Sequence, residues 1–315
     1  MLQLFSPISR LFHCHRTRKV MVGRISQSVR RRPLTSSVSA LVSAALIVAL
    51  IPLNTQAIIQ TGPRMELESY QLAAEPVVID SVAHNASGIT YNPDTNTLFA
   101  VVNNPEILLE LTLEGELLRK IPLEGFHDTE GLTYLGEGRY AVTEETRRSI
   151  VIIDTLDGLE VLERDMYRSI AIPFAFTKHN RGFEGITVDP QTGSLFVVNE
   201  KRPRSLLQVD GLLDPTQLGI NFSIPWDMES RTLGNTDLAG LQFLSQTNHL
   251  LILSEESKRV TEVDIEGNTY GYLDLDSGDA GLNEAIEQPE GVTVDADGDL
   301  YILSEPNLLY RFSRS

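Results

Sequence analysis

One phrase returns five times along the chain: Ser87-Gly88-Ile89-Thr90, Glu130-Gly131-Leu132-Thr133, Glu184-Gly185-Ile186-Thr187, Ala239-Gly240-Leu241-Gln242 and Glu290-Gly291-Val292-Thr293. Its glycines stand 43, 54, 55 and 51 residues apart, and a period of that size marks a stacked or radial repeat architecture. Each phrase is followed by a turn and a β-rich run: FAVVNN from Phe99, YAVTEE from Tyr140, FVVNEK from Phe196, LILSEE from Leu251 and YILSEP from Tyr301. The turns use chain-reversing residues, as in Asn92-Pro93-Asp94, Asp189-Pro190 and Asp295 to Asp299 around Gly298. Third strands are expected at 108–113, 149–154, 206–210, 260–265 and 308–312, and a fourth is visible at 117–123 and 270–275.

Four antiparallel strands per period describe a β-propeller blade. The apolar runs last only five or six residues and lack the 3.6-residue period of a helical solenoid, and a β-sandwich gives no reason for one phrase to return five times. The sequence therefore predicts an all-β, five-bladed β-propeller over residues 65–313. Only 24 residues follow Gly291, enough for three strands, while 23 lead from Met65 to Gly88. Residues 65–72 are thus expected to supply the missing outer strand of the last blade and cover its open edge. The stretch 212–234 is longer and irregular, and its Trp226 reads as a rim packing residue.

The segment before the repeat has a different character. Residues 1–57 carry eight Lys or Arg and no acid, so the rest of the chain holds 18 basic against 43 acidic residues, a net charge of −25. After Arg32, residues 38–53 (VSALVSAALIVALIPL) are apolar, and Thr55-Gln56-Ala57 offers small residues at a cleavage point. The expectation is a basic tail with a signal peptide or membrane anchor over 1–57, a linker over 58–64, and export of the propeller. It would be periplasmic, or held at the inner membrane with the propeller in the periplasm and the N-terminal segment in contact with the bilayer. A body this acidic repels phosphate backbones, which disfavours nucleic acid and makes cations the natural small partners. The single cysteine, Cys14, lies in the tail, so the body has no disulfide, thiol nucleophile or Cys-based zinc site.

Propeller geometry turns the repeat into a candidate site. The first strand of a blade leaves one face and the second returns to it, so first-strand starts and second-strand ends share that face. The starts carry Glu130, Glu184 and Glu290, with Ser87 and Ala239 in the other two blades; the ends carry Glu144, Glu200, Glu255 and Glu305, with Asn104 in the first blade. Crowded carboxylates raise one another's pKa unless a cation, a basic side chain or backbone amides compensate. Oxygen ligands alone point to Ca²⁺ or Mg²⁺ before zinc or copper. The expected metal set is Glu130, Glu184, Glu290, Glu200 and Glu305, with Glu144, Glu255, Asn104, His127 and His179 as further binding residues on the same face. The competing reading is that each glutamate holds loop amides of its own repeat. His84, His127 and His179 precede the repeat glycines on this face, while His249 falls on the opposite one. No G-x-S-x-G, H-E-x-x-H or phosphate-binding glycine loop is present.

Four stretches carry a family resemblance: Gly182-Phe183-Glu184-Gly185, Asn96-Thr97-Leu98-Phe99, NHLLILSEES from Asn248, and QPEGVTVDADGDLYILSEPNLLYRF from Gln288. Over about residues 65–312 the chain resembles the SdiA-regulated family of bacterial β-propellers. The resemblance implies an N-terminal membrane or export segment, a propeller facing the periplasm and a connection with calcium homeostasis. Ser87 and Ala239, which replace the glutamate in blades one and four, place any ion off the axis, near blades two, three and five. Three functions remain open: an envelope propeller binding calcium or a cationic ligand, with an envelope protein as a further partner; a calcium-dependent phosphoester or lactone hydrolase; and a scaffold without metal. The hydrolase reading rests on basic residues just after the acids: Lys201, Arg202 and Arg204, Arg147 and Arg148, and Lys258 and Arg259.

Overall fold

Five sheets follow one another along the chain, one for each repeat, antiparallel throughout except where Leu162–Glu163 adds a short parallel edge to the first. The computed structural model describes residues 60–315 except 81, 156–158, 173–181, 202 and 227–233. The basic tail, the apolar run and residues 58 and 59 of the linker lie outside the described residues. Among the described residues no helix is long and apolar enough to cross a membrane.

Blade one consists of Ala86–Asn92, Thr97–Val102, Ile107–Leu111 and Leu117–Glu124; blade two of Thr129–Gly136, Arg139–Glu144, Ser149–Asp154 and Arg168–Ala171. Blade three is Phe183–Val188, Leu195–Asn199, Ser205–Asp210 and Asn221–Ser223; blade four is Gly240–Leu244, His249–Ser254, Arg259–Asp264 and Thr269–Asp274. Blade five takes Pro289–Val294, Leu300–Ser304 and Leu308–Arg314 from the C-terminus and completes itself with Tyr70–Leu72, paired antiparallel to the last strand with Tyr70 opposite Arg314 and Leu72 opposite Phe312. The closing strand is shorter than expected, because Leu67–Ser69 form a 3-10 turn that buries Leu67 between blades four and five.

Second strands are buried on both faces, as in Thr97–Val102 and His249–Ser254, since each blade is covered by its neighbours. That is why these strands read as continuous apolar runs rather than alternating ones. Alternate residues serve different seams. Phe99 packs toward blade two, Phe196 toward blade four, Leu251 toward blade five and Tyr301 toward blade one. Each such side chain contributes on the order of 1.5–3 kcal/mol through burial. Trp226 belongs to the seam between blades three and four, beside Phe196 and Phe243.

The repeat glycines stand where inner strands approach most closely. A Cβ on Gly131 would lie 2.1 Å from the Glu184 carbonyl oxygen, one on Gly88 2.4 Å from that of Glu130, and one on Gly291 2.7 Å from that of Ser87. The threonine two residues later ties one blade to the next by accepting a backbone N–H: Thr90 from Tyr134 at 3.2 Å, Thr187 from Phe243 at 2.8 Å and Thr293 from Tyr91 at 3.0 Å. Between these two belts the channel is plugged by Ile89, Leu132, Ile186, Leu241 and Val292, each at most 4% exposed, leaving about 10 Å³ of space.

Candidate functional site: an acidic pit at the channel mouth

Above the apolar plug lies a blind pit of about 250 Å³. Inner-strand starts give it Glu130, Glu184 and Glu290, with Ser87 and Ala239 in the remaining blades, and second-strand ends give it Asn103, Glu145, Glu200, Glu255 and Glu305. Asp237 completes a set of eight carboxylates. The expected metal residues Glu130, Glu184, Glu290, Glu200 and Glu305, and the binding residue Glu255, are thus brought together.

Asn104 and Glu144 are not among the lining residues; the pit is lined instead by the neighbour of each, Asn103 and Glu145. The ladder explains the shift in blade two. Leu132 pairs with Val142, as Ile89 does with Ala100 and Ile186 with Val197, so Tyr140 corresponds to Leu98 and not to Phe99. A one-residue slip reverses the face of every side chain that follows. Glu144 then occupies the buried position held elsewhere by Val102, Asn199 and Ser304. Its carboxylate is fully buried and accepts hydrogen bonds from Arg164 at 2.7 and 2.9 Å, Arg147 at 2.6 Å and Ser149 at 2.6 Å. Although burial opposes ionisation, these donors hold Glu144 below the usual carboxylate range. Its role in this structure is to pin the segment Leu162–Met166 that passes from blade two to the edge of blade one. The His127 ring is exposed and lies 3.6 Å from Glu106, outside the pit. His179 falls outside the described residues.

Within the pit the acids differ in their partners. Asn103 donates to Glu130 at 2.6 Å and to Asp128 at 3.1 Å, and the Gly182 N–H donates to Glu145 at 2.8 Å. Asp237 accepts from the Ser254 hydroxyl and from the Glu256 N–H at 3.1 Å. Lys201 bridges Glu200 at 2.5 Å and Glu256 at 2.8 Å. Glu184, Glu290, Glu255 and Glu305 receive no hydrogen bond on their carboxylates among the described residues. Asp128, Glu130 and Glu145 bring one ligand oxygen each to within 4.8 Å of one another.

The electrostatics follow from this crowding. Burial, reinforced by the charges of Glu145 and Asp128, pushes Glu130 up to about 8 against the hydrogen bonds from Ser87 and Asn103. Burial and then the charges of Glu130, Glu255, Glu305 and Asp237 push Glu290 up to about 9. Glu184 is raised well above the carboxylate range by burial and by Glu130, Glu145, Glu290 and Glu200. Burial also raises Glu145, Glu255 and Glu305. Sequence reasoning missed Glu145, Asp237, Asp128 and Asn103. A signal for two of them existed, since Asn85, Asp128, Asp237 and Gln288 form a polar column three residues before the repeat glycines.

The rim cations are largely committed elsewhere. Arg147 holds Glu144, Arg259 holds Asp274 at 2.5 Å, and Lys258 donates to the Ile286 carbonyl at 2.7 Å. Arg204 donates to the Asn235 carbonyl.

Among solved structures, the chain is similar to the glutaminyl cyclase of Myxococcus xanthus, with a TM-score of 0.52 at 12% identity over 78% of this chain and 95% of that one. It also matches the virginiamycin B lyase of Staphylococcus aureus, with a TM-score of 0.42 at 14% identity over 77% of this chain and 73% of that one. A structure of a nidogen/laminin complex matches with a TM-score of 0.47 at 15% identity over 70% and 73%. At such identities the likeness is one of fold. The SdiA-regulated family model matches residues 64–313, nearly the whole propeller including its closing strand and every carboxylate of the pit, and the chain belongs to that family.

Proposed function

We propose that the protein is an envelope receptor for a divalent cation, calcium first, which it takes up in the acidic pit. The observation that supports this most directly is the imbalance of charge: eight carboxylates line about 250 Å³, and among the described residues a single ammonium, that of Lys201, touches them. A cation that binds there relieves repulsion that the protein's own donors leave standing. The donors are all oxygens, which favours Ca²⁺, and loop-end carboxylates suit its flexible coordination better than the strict octahedron of Mg²⁺. Asp128, Glu130 and Glu145 are the starting ligands, off the axis beside blade two. The export signal expected at 1–57 would deliver this face to the compartment where calcium is abundant.

Calcium should raise the melting temperature, because an ion bound by the folded state alone stabilises it by about 2.7 kcal/mol at a hundredfold excess over its dissociation constant. Magnesium should do less, and Glu130→Gln with Glu145→Gln should remove most of the calcium-dependent shift. A parent melting temperature indifferent to calcium would sink the reading. The hydrolase alternative has weaker support, since four of the basic residues it calls on, Arg147, Arg259, Lys258 and Arg204, are engaged by Glu144, Asp274 and main-chain carbonyls, while Lys201 bridges Glu200 and Glu256 and Arg202 lies outside the described residues.

A further inference from the structure

The channel has a second mouth, on the face opposite the pit, and its chemistry is different. Its floor is the belt of Thr90, Thr133, Thr187, Gln242 and Thr293, on the far side of the apolar plug. The cavity over that belt holds about 360 Å³, within the roughly 300–1,000 Å³ of small-molecule sites. Among its lining residues Asp295 alone carries a charge, and that carboxylate is saturated. Its Oδ1 accepts the N–H groups of Asp297 at 3.0 Å and Asp299 at 2.9 Å, and its Oδ2 accepts the Tyr301 hydroxyl at 3.0 Å. A charged ligand would find no counter-charge here, so this polar cavity suits an uncharged one.

The belt leaves hydrogen-bonding capacity open. Thr90 and Thr187 each accept an N–H from the next blade, but their hydroxyl hydrogens have no acceptor among the described residues. Thr133 makes no such bond: its hydroxyl has no partner among the described residues, although the residue is only 5% exposed. A hydroxyl donates once and accepts twice, so the floor offers both functions. Tyr91 and Tyr134 send their hydroxyls to Asn96, at 2.7 Å, and to Asp94, and their rings join Pro93 and Pro190 in giving the walls flat apolar area. Apolar walls over a floor of hydroxyls match a sugar ring, which has C–H groups on its faces and hydroxyls at its edge. The cavity also continues. A second hollow of about 440 Å³ shares Leu244, Gln246, Val294, Asp295 and Ala296 with the first and follows the seam of blades four and five to Met65 and Tyr70. In it the Thr247 hydroxyl is buried without a partner. Its guanidinium groups are engaged, Arg64 by Glu68 and the Tyr270 carbonyl, and Arg314 by Glu66 and the Met65 carbonyl.

We infer that this trough binds an uncharged oligosaccharide, with one ring over the threonine belt and the next in the hollow beside Met65 and Tyr70. The inference stands apart from the cation reading of the pit, from which the apolar plug separates the trough.

Ligand-observed NMR on the full-length protein tests this. The probes are neutral di- to tetrasaccharides of hexoses and N-acetylhexosamines, a sialylated trisaccharide and a capped neutral tripeptide. A neutral saccharide should bind, and the sialylated and peptide probes should not displace it. Thr133→Val removes an unpartnered hydroxyl and keeps the shape of the side chain, so it should weaken binding about three- to tenfold, as expected for one hydrogen bond. Gln246→Trp, an exposed change where the two hollows meet, should abolish binding. Both variants should keep the parent's melting temperature and its response to calcium, which separates a blocked trough from a damaged fold. The inference is overturned if no neutral saccharide binds, if binding survives Gln246→Trp, or if the sialylated or peptide probe is preferred. Each of these results leaves the calcium reading of the pit where it stood.

Discussion

Two glutamates separated by one peptide bond show how far environment decides what a carboxylate does. Glu144 is buried with two guanidinium groups and a hydroxyl, and stays ionised; Glu145 faces the pit, where burial and Asp128 raise it. Their signs in a pH profile are opposite. A carboxyl whose folded value is depressed contributes stability that is present above its unfolded value of about 4.5 and lost as the pH falls through the folded one. A carboxyl whose folded value is raised contributes stability that is present below about 4.5 and lost as the pH rises through the folded value, here about 8 for Glu130 and about 9 for Glu290. The metal-free protein should therefore be most stable in mild acid near pH 5 and lose on the order of a few kcal/mol by pH 9. Thermal melts across that range check this. Glu184→Gln with Glu290→Gln should flatten the alkaline limb and leave the acid limb, which belongs to Glu144, unchanged. A parent curve that is flat or rising from pH 5 to 9 would show that the pit acids do not repel.

At the scale of strands, the repeated phrase has two structural jobs that its recurrence alone did not explain. The glycine lets neighbouring inner strands approach, and the threonine at the next alternate position bonds across the seam. Gly131→Ala would drive a methyl group to 2.1 Å from the Glu184 carbonyl and 2.8 Å from the Thr143 hydroxyl. The obstacle is backbone, so the cost should reach the roughly 3 kcal/mol upper range of overpacking or exceed it. Chemical denaturation of the variant measures this, and a loss under about 1 kcal/mol would mean that the inner strands have room to part. The blade count, the strand order and the face on which the acids gather were legible because glycine, turn and apolar run recur in fixed order. The phase inside blade two was not. Its turn is tight, between Gly136 and Arg139, and Tyr140 resembles the aromatic that marks other second strands while standing one residue out of step. The structure uses the slip: with opposite parity, Phe99 and Tyr140 face each other across the first seam, with ring centroids 4.7 Å apart. Ala141 takes the place of the aromatic at the next seam. Nothing in the local sequence distinguishes Glu144 from Glu145, because what separates them is Arg164, twenty residues away in the chain.

For the molecule as a whole, the ring is closed by the segment that precedes the first blade, and it grips two blades rather than one. Gln60 donates to the Thr269 carbonyl at 2.7 Å, Arg64 to that of Tyr270 at 2.8 Å, and the Met65 N–H to both oxygens of Glu262 at 2.9 and 3.0 Å before Tyr70–Leu72 joins blade five. Glu262 is fully buried and otherwise held by His249 at 2.8 Å, a histidine whose position on the face opposite the pit gave no hint of this pairing. The length arithmetic could reveal the closing strand but not its anchorage on blade four, which depends on a buried acid brought there by the third strand. Removing residues 1–72 should strip a donor from that acid, at about 1–3 kcal/mol, and uncover the surface that Leu67 buries, at about 1.5–3 kcal/mol. It would also leave Phe312–Arg314 as an open edge able to pair with another chain, while Val77–Val78 keeps its place beside Leu308 and Leu309. Against a total stability of about 5–15 kcal/mol for a domain, the truncated chain should melt well below the parent and elute as dimers or aggregates. A chain lacking residues 1–59 keeps every one of these contacts and should match the parent in both measurements. If the shorter chain, begun at residue 73, stays monomeric and melts like the parent, the ring is held shut by its inter-blade seams alone and the N-terminal strand is only a cover.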